Sequence, residues 1–300
     1  MSSENFGAKK FAQRYFTFEP IFGWRASQTF LIVLIIVITC ICMPIPCLAE
    51  SDPDEIESLD GLVKYLYRDT KHVMTSPLHW KQDDLVLFAT FSVSTFALML
   101  TDTDFQKSVQ KSRTHTTDQV SEWTDKYTKR VTNLTIGGLY FSGLIFHDRK
   151  AKETALLCLE SVALAEGITK GLKHLIGRSR PTGEKGAFHF NPLRVPPAAH
   201  SLSFPSGHAT TAFALSSVIG EQYQNWWVRL IAYSFALMVS MARVNNNAHF
   251  LSDVFWGGIV GISVGRCLVK FHEKDNTSDW ELISTNGSDN VKLGISIWVK

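Results

Sequence analysis

The chain has 300 residues, 30 Lys and Arg against 28 Asp and Glu, and a formal net charge of +2. So even a balance argues against nucleic acid as the main partner, because phosphate contacts need a basic excess. The 20 Phe and 8 Trp in a chain that is 45% hydrophobic exclude disorder. A mean hydropathy of +0.02 speaks against a protein built chiefly of membrane spans, since six spans need roughly 120 mostly apolar residues.

The first predicted element is an apolar run from Phe30 to Met43, FLIVLIIVITCICM. Lys9, Lys10, Arg14 and Arg25 precede it, and Cys47-Leu48-Ala49 comes after it. A basic lead, a short apolar run and small residues before a cut describe a secretory signal peptide, here ending at Ala49. A long lead before the apolar run equally describes an uncleaved anchor. Residues 1–49 are therefore read as a signal peptide or N-terminal anchor, and both readings send the rest of the chain out of the cytoplasm, to the periplasm or cell envelope. Cleavage would leave 26 residues of each charge sign and a net charge of zero. Only Cys158 and Cys267 would remain, each inside an apolar helical pattern, which predicts buried inert thiols rather than a disulfide framework or metal cluster.

Residues 50–82 start acidic and turn amphipathic, with Leu62, Val63, Leu66 and Tyr67 at helical spacing. Residues 83–270 form the main helical domain. Its apolar stretches are Leu85–Leu100, Val131–Phe146, Thr154–Leu172, His208–Gly220, Trp226–Ala242 and His249–Val269. Residues 101–130 are polar and read as one exposed helix. Residues 182–204 have no period and read as a long loop, a feature that in compact domains is usually functional; its Phe188, Phe190, Leu193 and Val195 are placed to cover a pocket. Residues 271–300 form a polar tail in which Trp280–Thr285 and Val291–Val299 alternate around Asn286-Gly287-Ser288, the pattern of a β-hairpin. The fold class is all-α, a bundle of about six core helices with a small C-terminal hairpin. Stretches of 13–17 residues that carry Glu160, Glu166, Lys170 or Arg229 match core helices better than spans, so the expectation is an exported helical domain, soluble or resting on a membrane.

Three clusters at predicted helix ends carry chemistry. In Lys173-His174-Leu175-Ile176-Gly177-Arg178-Ser179-Arg180-Pro181, three Lys and Arg cations gather where a helix must stop, since proline cannot continue it; the helix dipole alone would also favour them there. In Phe204-Pro205-Ser206-Gly207-His208, a turn leads straight into an apolar helix. Ser206 sits at or just before the N-cap, and Gly207 lets an anion approach the N–H groups at the positive helix end. In Arg243-Val244-Asn245-Asn246-Asn247-Ala248-His249-Phe250-Leu251-Ser252-Asp253, the Asn run breaks a helix, and His249 and Asp253 are i and i+4 on one helical face. A carboxylate one turn away can hold one ring nitrogen and aim the other outward. A buried His–Asp pair that merely stabilises a helix start fits that spacing as well.

Together, K-x6-R-P, P-S-G-H and R-x5-H-x3-D resemble the type 2 phosphatidic acid phosphatase superfamily, which also holds bacterial acid phosphatases and vanadium-dependent haloperoxidases. The resemblance covers about residues 85–269. Its one departure is Ala242, where the family usually has serine. The resemblance implies that Lys173, Arg180 and Arg243, with Ser206 and the Gly207 N–H, bind phosphate oxygens. His249 would attack phosphorus and form a phosphohistidine, Asp253 would orient it, and His208 would protonate the leaving alcohol and then activate water. It implies no cofactor and no metal, and a partner that is a phosphorylated lipid or a small phosphate ester, with membrane association. A vanadate-dependent haloperoxidase on the same oxyanion pocket is the alternative. Arg178 is expected to face solvent or a carboxylate, Glu166 to pair with Lys170, Glu160 to pair with helix neighbours, and His174, His189 and His200 to be loop or surface residues.

Overall fold

The computed structural model describes residues 59–193, 201–275, 281–287 and 290–296. Residues 1–49, where a signal peptide or anchor is expected, lie outside them. Seven α-helices are described: α1 (Leu59–Thr75), α2 (Gln82–Lys111), α3 (His115–Ile145), α4 (Arg149–Ile176), α5 (Gly207–Tyr223), α6 (Trp226–Asn245) and α7 (Leu251–Asp275). Two strands, Glu281–Gly287 and Asn290–Ser296, pair antiparallel with Gly287 opposite Asn290.

Several helices are longer than the hydropathy pattern predicts. Thr101–Lys111, read as part of a separate polar segment, continues α2. Residues 115–130 are the first half of α3, not a separate exposed helix. The reason is that polar residues end a helix only when they compete for its backbone, and those of α3 do not compete. Thr124 and Thr128 hydroxyls donate to carbonyls one turn back, and Ser121, Thr124, Thr128 and Thr132 form a buried polar stripe on one face. The actual break lies at 112–114, where the Thr114 hydroxyl accepts from the Thr117 N–H as an N-cap.

At the centre stands α5, with Ala209–Val218 buried on every side. That is why its sequence is small and hydroxyl-rich. Ser216 donates to the Ala232 carbonyl (2.6 Å) and Ser217 to that of Ala214 (2.9 Å), so each of these buried hydroxyls has a partner. Glycines on α7 admit α5 at close range: a Cβ at Gly261 would collide with the Thr210 carbonyl oxygen. Two apolar clusters flank α5. One joins α2, α5, α6 and α7 through Leu98, Phe105, Phe213, Tyr233, Val239 and Phe255. The other joins α1, α4, α5 and α7 through Val73, Leu157, Val218 and Leu268. Cys158 and Cys267 are buried thiols.

The outer surface differs from that of a soluble bundle. Leu85, Val86, Phe88, Val93, Phe96 and Leu100 of α2 are exposed, and only 11% of that helix's most apolar window is buried. Trp226 and Trp227 at the start of α6 are exposed and stacked. Among the described residues three helices, Gln82–Lys111, Trp226–Asn245 and Leu251–His272, are long and apolar enough to cross a membrane. This corrects the expectation of stretches too short to span. An apolar surface of this extent marks contact with something other than water, and the chain is membrane-associated. Arg229, which counted against a span, donates to the Gly220 carbonyl (2.9 Å) and so caps the end of α5.

Candidate active site

The three motifs converge where the C-terminal end of α4, the N-terminal ends of α5 and α7 and the turn after α6 meet. Helix α4 stops at Gly177, whose φ of 60° is the left-handed C-cap; a Cβ there would collide with the Asn191 carbonyl oxygen. Extended chain comes next. Ser179 N–H donates to the His189 carbonyl (2.9 Å), Asn191 N–H to that of Gly177 (2.9 Å) and Ser203 N–H to that of Arg178 (2.8 Å). The start of the predicted loop is thus an ordered ladder; residues 194–200, including Val195 and His200, lie outside the described residues.

That ladder drives Arg178 inward, where it is fully buried. Its guanidinium donates to Asp253 Oδ1 (2.5 Å), Asp102 Oδ2 (2.8 Å), Ser252 Oγ (2.7 Å) and the Ala187 carbonyl (2.8 Å). Of the two expectations for Arg178, the carboxylate is what the structure has. Asp102 also accepts from the Ser252 N–H (3.1 Å) and hydroxyl (2.5 Å). Asp253 Oδ2 accepts from Ser203 Oγ (2.5 Å) and the Phe250 N–H (2.9 Å) and lies 3.6 Å from His249 Nδ1. Ser203 Oγ stands 3.4 Å from the same ring nitrogen. Buried charges endure only when paired and hydrogen-bonded, and here every member holds its neighbours.

His249 is buried in front of this network. Burial drives its imidazole down to about 3, a larger effect than the opposing support of Asp253, so the ring is neutral at ordinary pH. The Arg243–His249 turn closes on itself, Ala248 and His249 N–H donating to the Arg243 carbonyl (3.1 and 3.3 Å), and is held from outside as well. Gln106 Nε2 donates to the Val244 carbonyl (3.0 Å) and Asn247 Oδ1 (2.7 Å), and Asn245 Nδ2 to Asp118 Oδ1 (3.0 Å). The Asn run therefore fastens the turn to α2 and α3 besides ending α6.

On the solvent side the balance reverses. Lys173, Gly207 and His208 line an open cavity of about 140 Å³ with Thr128, Lys129, Glu166, Thr169, Lys170 and Thr211. A Cβ on Gly207 would meet nothing nearer than the Lys173 side chain at 4.0 Å, so the helix N-terminus opens on the lysine. Ser206 is the N-cap residue of α5, yet its hydroxyl makes no cap bond, and its Oγ is buried without a partner. Among the described residues Arg180 Nε and Arg243 Nε are likewise buried without partners. Among the described residues Lys173 Nζ donates to backbone acceptors, Leu202 O at 2.7 Å and Ser203 O at 3.5 Å. Burial, then the nearby Arg180, lower its ammonium to about 8. Burial, then Lys129 and Lys173, lower His208 below its ordinary value. His249 does not line the open cavity. Its neighbour Arg243 is covered by Asp125 of α3, whose Oδ1 contacts Arg243 Nη1 and lies 4.0 Å from His208 Nε2.

All eight sequence-predicted residues thus fall in one region, with His249, Asp253, Ser206 and Arg243 buried and Lys173, Arg180, Gly207 and His208 partly open. The motif reading missed Asp102, Asp125, Thr128, Lys129, Ser203 and Ser252. Asp102 carried a signal, an acidic residue at the end of an apolar stretch; Asp125 lay in a polar segment where one carboxylate looks like another. Among the histidines assigned to loops or surface, His189 Nδ1 meets Ser179 Oγ at 2.8 Å, and exposed His174 meets its own helix's Lys170 carbonyl at 2.8 Å. Glu166 pairs with Lys170 at 3.5 Å, as expected, and also accepts from Thr211. Glu160 does not pair with its helix neighbours; it meets Asp69 and His272, because positions one turn away on α4 are apolar.

The model of the PAP2 superfamily matches residues 154–277. A lipid A 1-phosphatase of Porphyromonas gingivalis is 35% identical over 106 residues, 35% of this chain and 20% of that protein. One of Rhizobium johnstonii is 39% identical over 90 residues, 29% of this chain and 34% of that protein. The chain therefore spans about a fifth to a third of the length of these curated relatives. Among solved structures, a PAP2-type phosphatidylglycerolphosphate phosphatase from Bacillus subtilis aligns with a TM-score of 0.49 at 23% identity, over 63% of this chain and 96% of that one. Aquifex aeolicus LpxE aligns at 0.44 and 21%, over 56% and 94%. The stretch that carries all three motifs is thus the part of the chain, residues 154–277, that matches the PAP2 superfamily model.

Proposed function

We propose that this protein is a metal-independent phosphatase that hydrolyses a phosphate monoester on a membrane lipid, through a phosphohistidine at His249. The observation that carries the reading is the asymmetry of the site: buried polar atoms of Ser206, Arg180 and Arg243 lack partners around an open helix N-terminus, while the network behind them is complete. Buried unpartnered donors are costly, and a phosphate dianion would satisfy them together.

In this reading phosphate lies over Gly207, between Lys173, Arg180 and Arg243, and displaces the Asp125 carboxylate from Arg243. The cations neutralise charge on the phosphoryl group as it transfers. His249 is unprotonated, as a nucleophile must be. A small movement brings its Nδ1–H onto Asp253 Oδ2, which leaves Nε2 to attack phosphorus. The P–O bond to the alcohol breaks as the P–N bond forms, and His208, which the bound phosphate dianion holds as the imidazolium against the nearby lysines, gives its proton to the leaving oxygen. Water, deprotonated by His208, then cleaves the P–N bond and releases inorganic phosphate. Asp253 supports the positive charge on His249 meanwhile, and Arg178 holds Asp253.

The lipid assignment rests on the exposed apolar faces of α2 and α6 and on relatives named as lipid A 1-phosphatases. The signal or anchor pattern before residue 50 supports a site on the outer side of the membrane. The test is phosphate release from a lipid phosphate in detergent micelles, with orthovanadate as competitor. Vanadate takes up the five-coordinate geometry of the transfer, and transition-state mimics bind about 10²–10⁸-fold tighter than substrates. Competitive inhibition, together with an acid-labile phosphoryl label on the protein, is expected. Turnover without any such label in rapid-quench samples would overturn the phosphohistidine.

A further inference from the structure

A second buried cluster lies far from the phosphate pocket. Asp69 of α1, Glu160 of α4 and His272 of α7 bring one ligand atom each to within 4.8 Å of one another. Asp69 Oδ2 is 2.8 Å from His272 Nε2. Asp69 is fully buried and Glu160 only 6% exposed, and Glu160 Oε1 has no hydrogen-bond partner. The neighbouring cation, Arg68, reaches the other Asp69 oxygen, Oδ1, at 3.4 Å, and its guanidinium lies over Phe271. Two carboxylates and an imidazole thus meet beside the Arg68 guanidinium, and among the described residues the Glu160 Oε1 acceptor is left over in the interior. Asp253 and His272 mark the two clusters on α7 and stand about 28 Å apart along it, so they lie toward opposite ends of the bundle.

We propose that Asp69, Glu160 and His272 form a structural binding site for one zinc-like divalent cation, which clamps α1 onto α4 and α7. One imidazole nitrogen and two carboxylate oxygens are ligands zinc accepts at about 2.0–2.2 Å, with water completing a tetrahedron. Three ligand atoms already within 4.8 Å of one another need only small side-chain movement to reach that geometry. The ion plays no part in phosphate chemistry; it holds the first helix.

The test uses the full chain in detergent, stripped with a chelator and dialysed, then titrated with zinc while bound metal and thermal unfolding are followed. The wild type should bind one zinc per chain and unfold at a higher temperature with it. Glu160→Gln keeps the size and shape of the glutamate side chain, so it should fold; it should bind zinc at least about tenfold more weakly, the low end of losses at metal-site partners, and lose the zinc-dependent shift. His272→Ala should do the same. Equal zinc affinity in wild type and Glu160→Gln would overturn the proposal, as would a wild type that binds zinc without a shift or does not bind it.

Discussion

Arg178 and Arg180 stand two positions apart and sit in opposite electrostatic surroundings. Arg178 is enclosed by Asp102, Asp253, Ser252 and a carbonyl, with its donors engaged on several sides. Arg180 is partly open, and its Nε has no partner. The back of the site is a finished network and the front an unfinished one. Satisfied charges build and hold; unsatisfied ones await a ligand. A buried donor without a partner costs about 1–3 kcal/mol, so several at one cleft are better explained by a substrate than by folding.

The largest expected effect tests where the two halves meet. His249→Ala should lower phosphate release by at least about 10⁴-fold, since loss of a covalent nucleophile leaves only binding and electrostatics, while its thermal unfolding stays close to wild type. Activity within tenfold of wild type would remove His249 as the nucleophile. Asp253→Asn should cost about 10²–10³-fold in kcat, in the range of proton-transfer and orienting contributions; unchanged kcat would make the i, i+4 pair structural only.

The arginine pair sharpens the comparison directly. Arg180→Ala should cut kcat/KM about 10²–10³-fold, the range found when one transition-state donor is removed, and leave stability within about 0.5 kcal/mol. Arg178→Ala should instead destabilise by about 3–5 kcal/mol, because Asp102 and Asp253 would remain buried without their cation. Denaturant unfolding and initial rates on both variants decide; equal stability losses would erase the distinction.

Two smaller effects probe the open half. Lys173 is charged below about pH 8 and neutral above it. The ratio of wild-type kcat/KM to that of Lys173→Arg should therefore hold level to about pH 7 and fall as pH rises through about 8, because arginine keeps its charge. A ratio flat to about pH 10 would mean that the ammonium is not lowered from the ordinary lysine range or that its charge does not serve binding. Asp125→Asn frees Arg243 from its carboxylate partner and should lower KM by up to about fivefold, the worth of a partly exposed ion pair. A raised KM would show that Asp125 positions Arg243 instead.

Much of this was legible in the chain. Gly177, Pro181, the Ser206–Gly207 turn and the Asn run mark helix ends through local backbone chemistry, which needs no distant partner, and His249 and Asp253 share a face by helical spacing alone. What was not legible depends on distant neighbours. That α5 is the buried centre of the bundle, hydroxyls included, depends on acceptors for Ser216 and Ser217 that composition does not display. The polar start of α3 looks like solvent surface, yet it supplies Asp125, Thr128 and Lys129 to the site.

The same division runs through the function. Residue type and order along the chain grouped these cations, histidines and carboxylate through the family resemblance they carry, and local signals put each at a helix end. Only the tertiary structure decided which cations are free to act. Arg178 and Arg180 have the same side chain, and burial against Asp102, 76 residues away in the chain, closes off one of them. Charge neutralisation is set by distance in space, and a sequence states distance only along the chain.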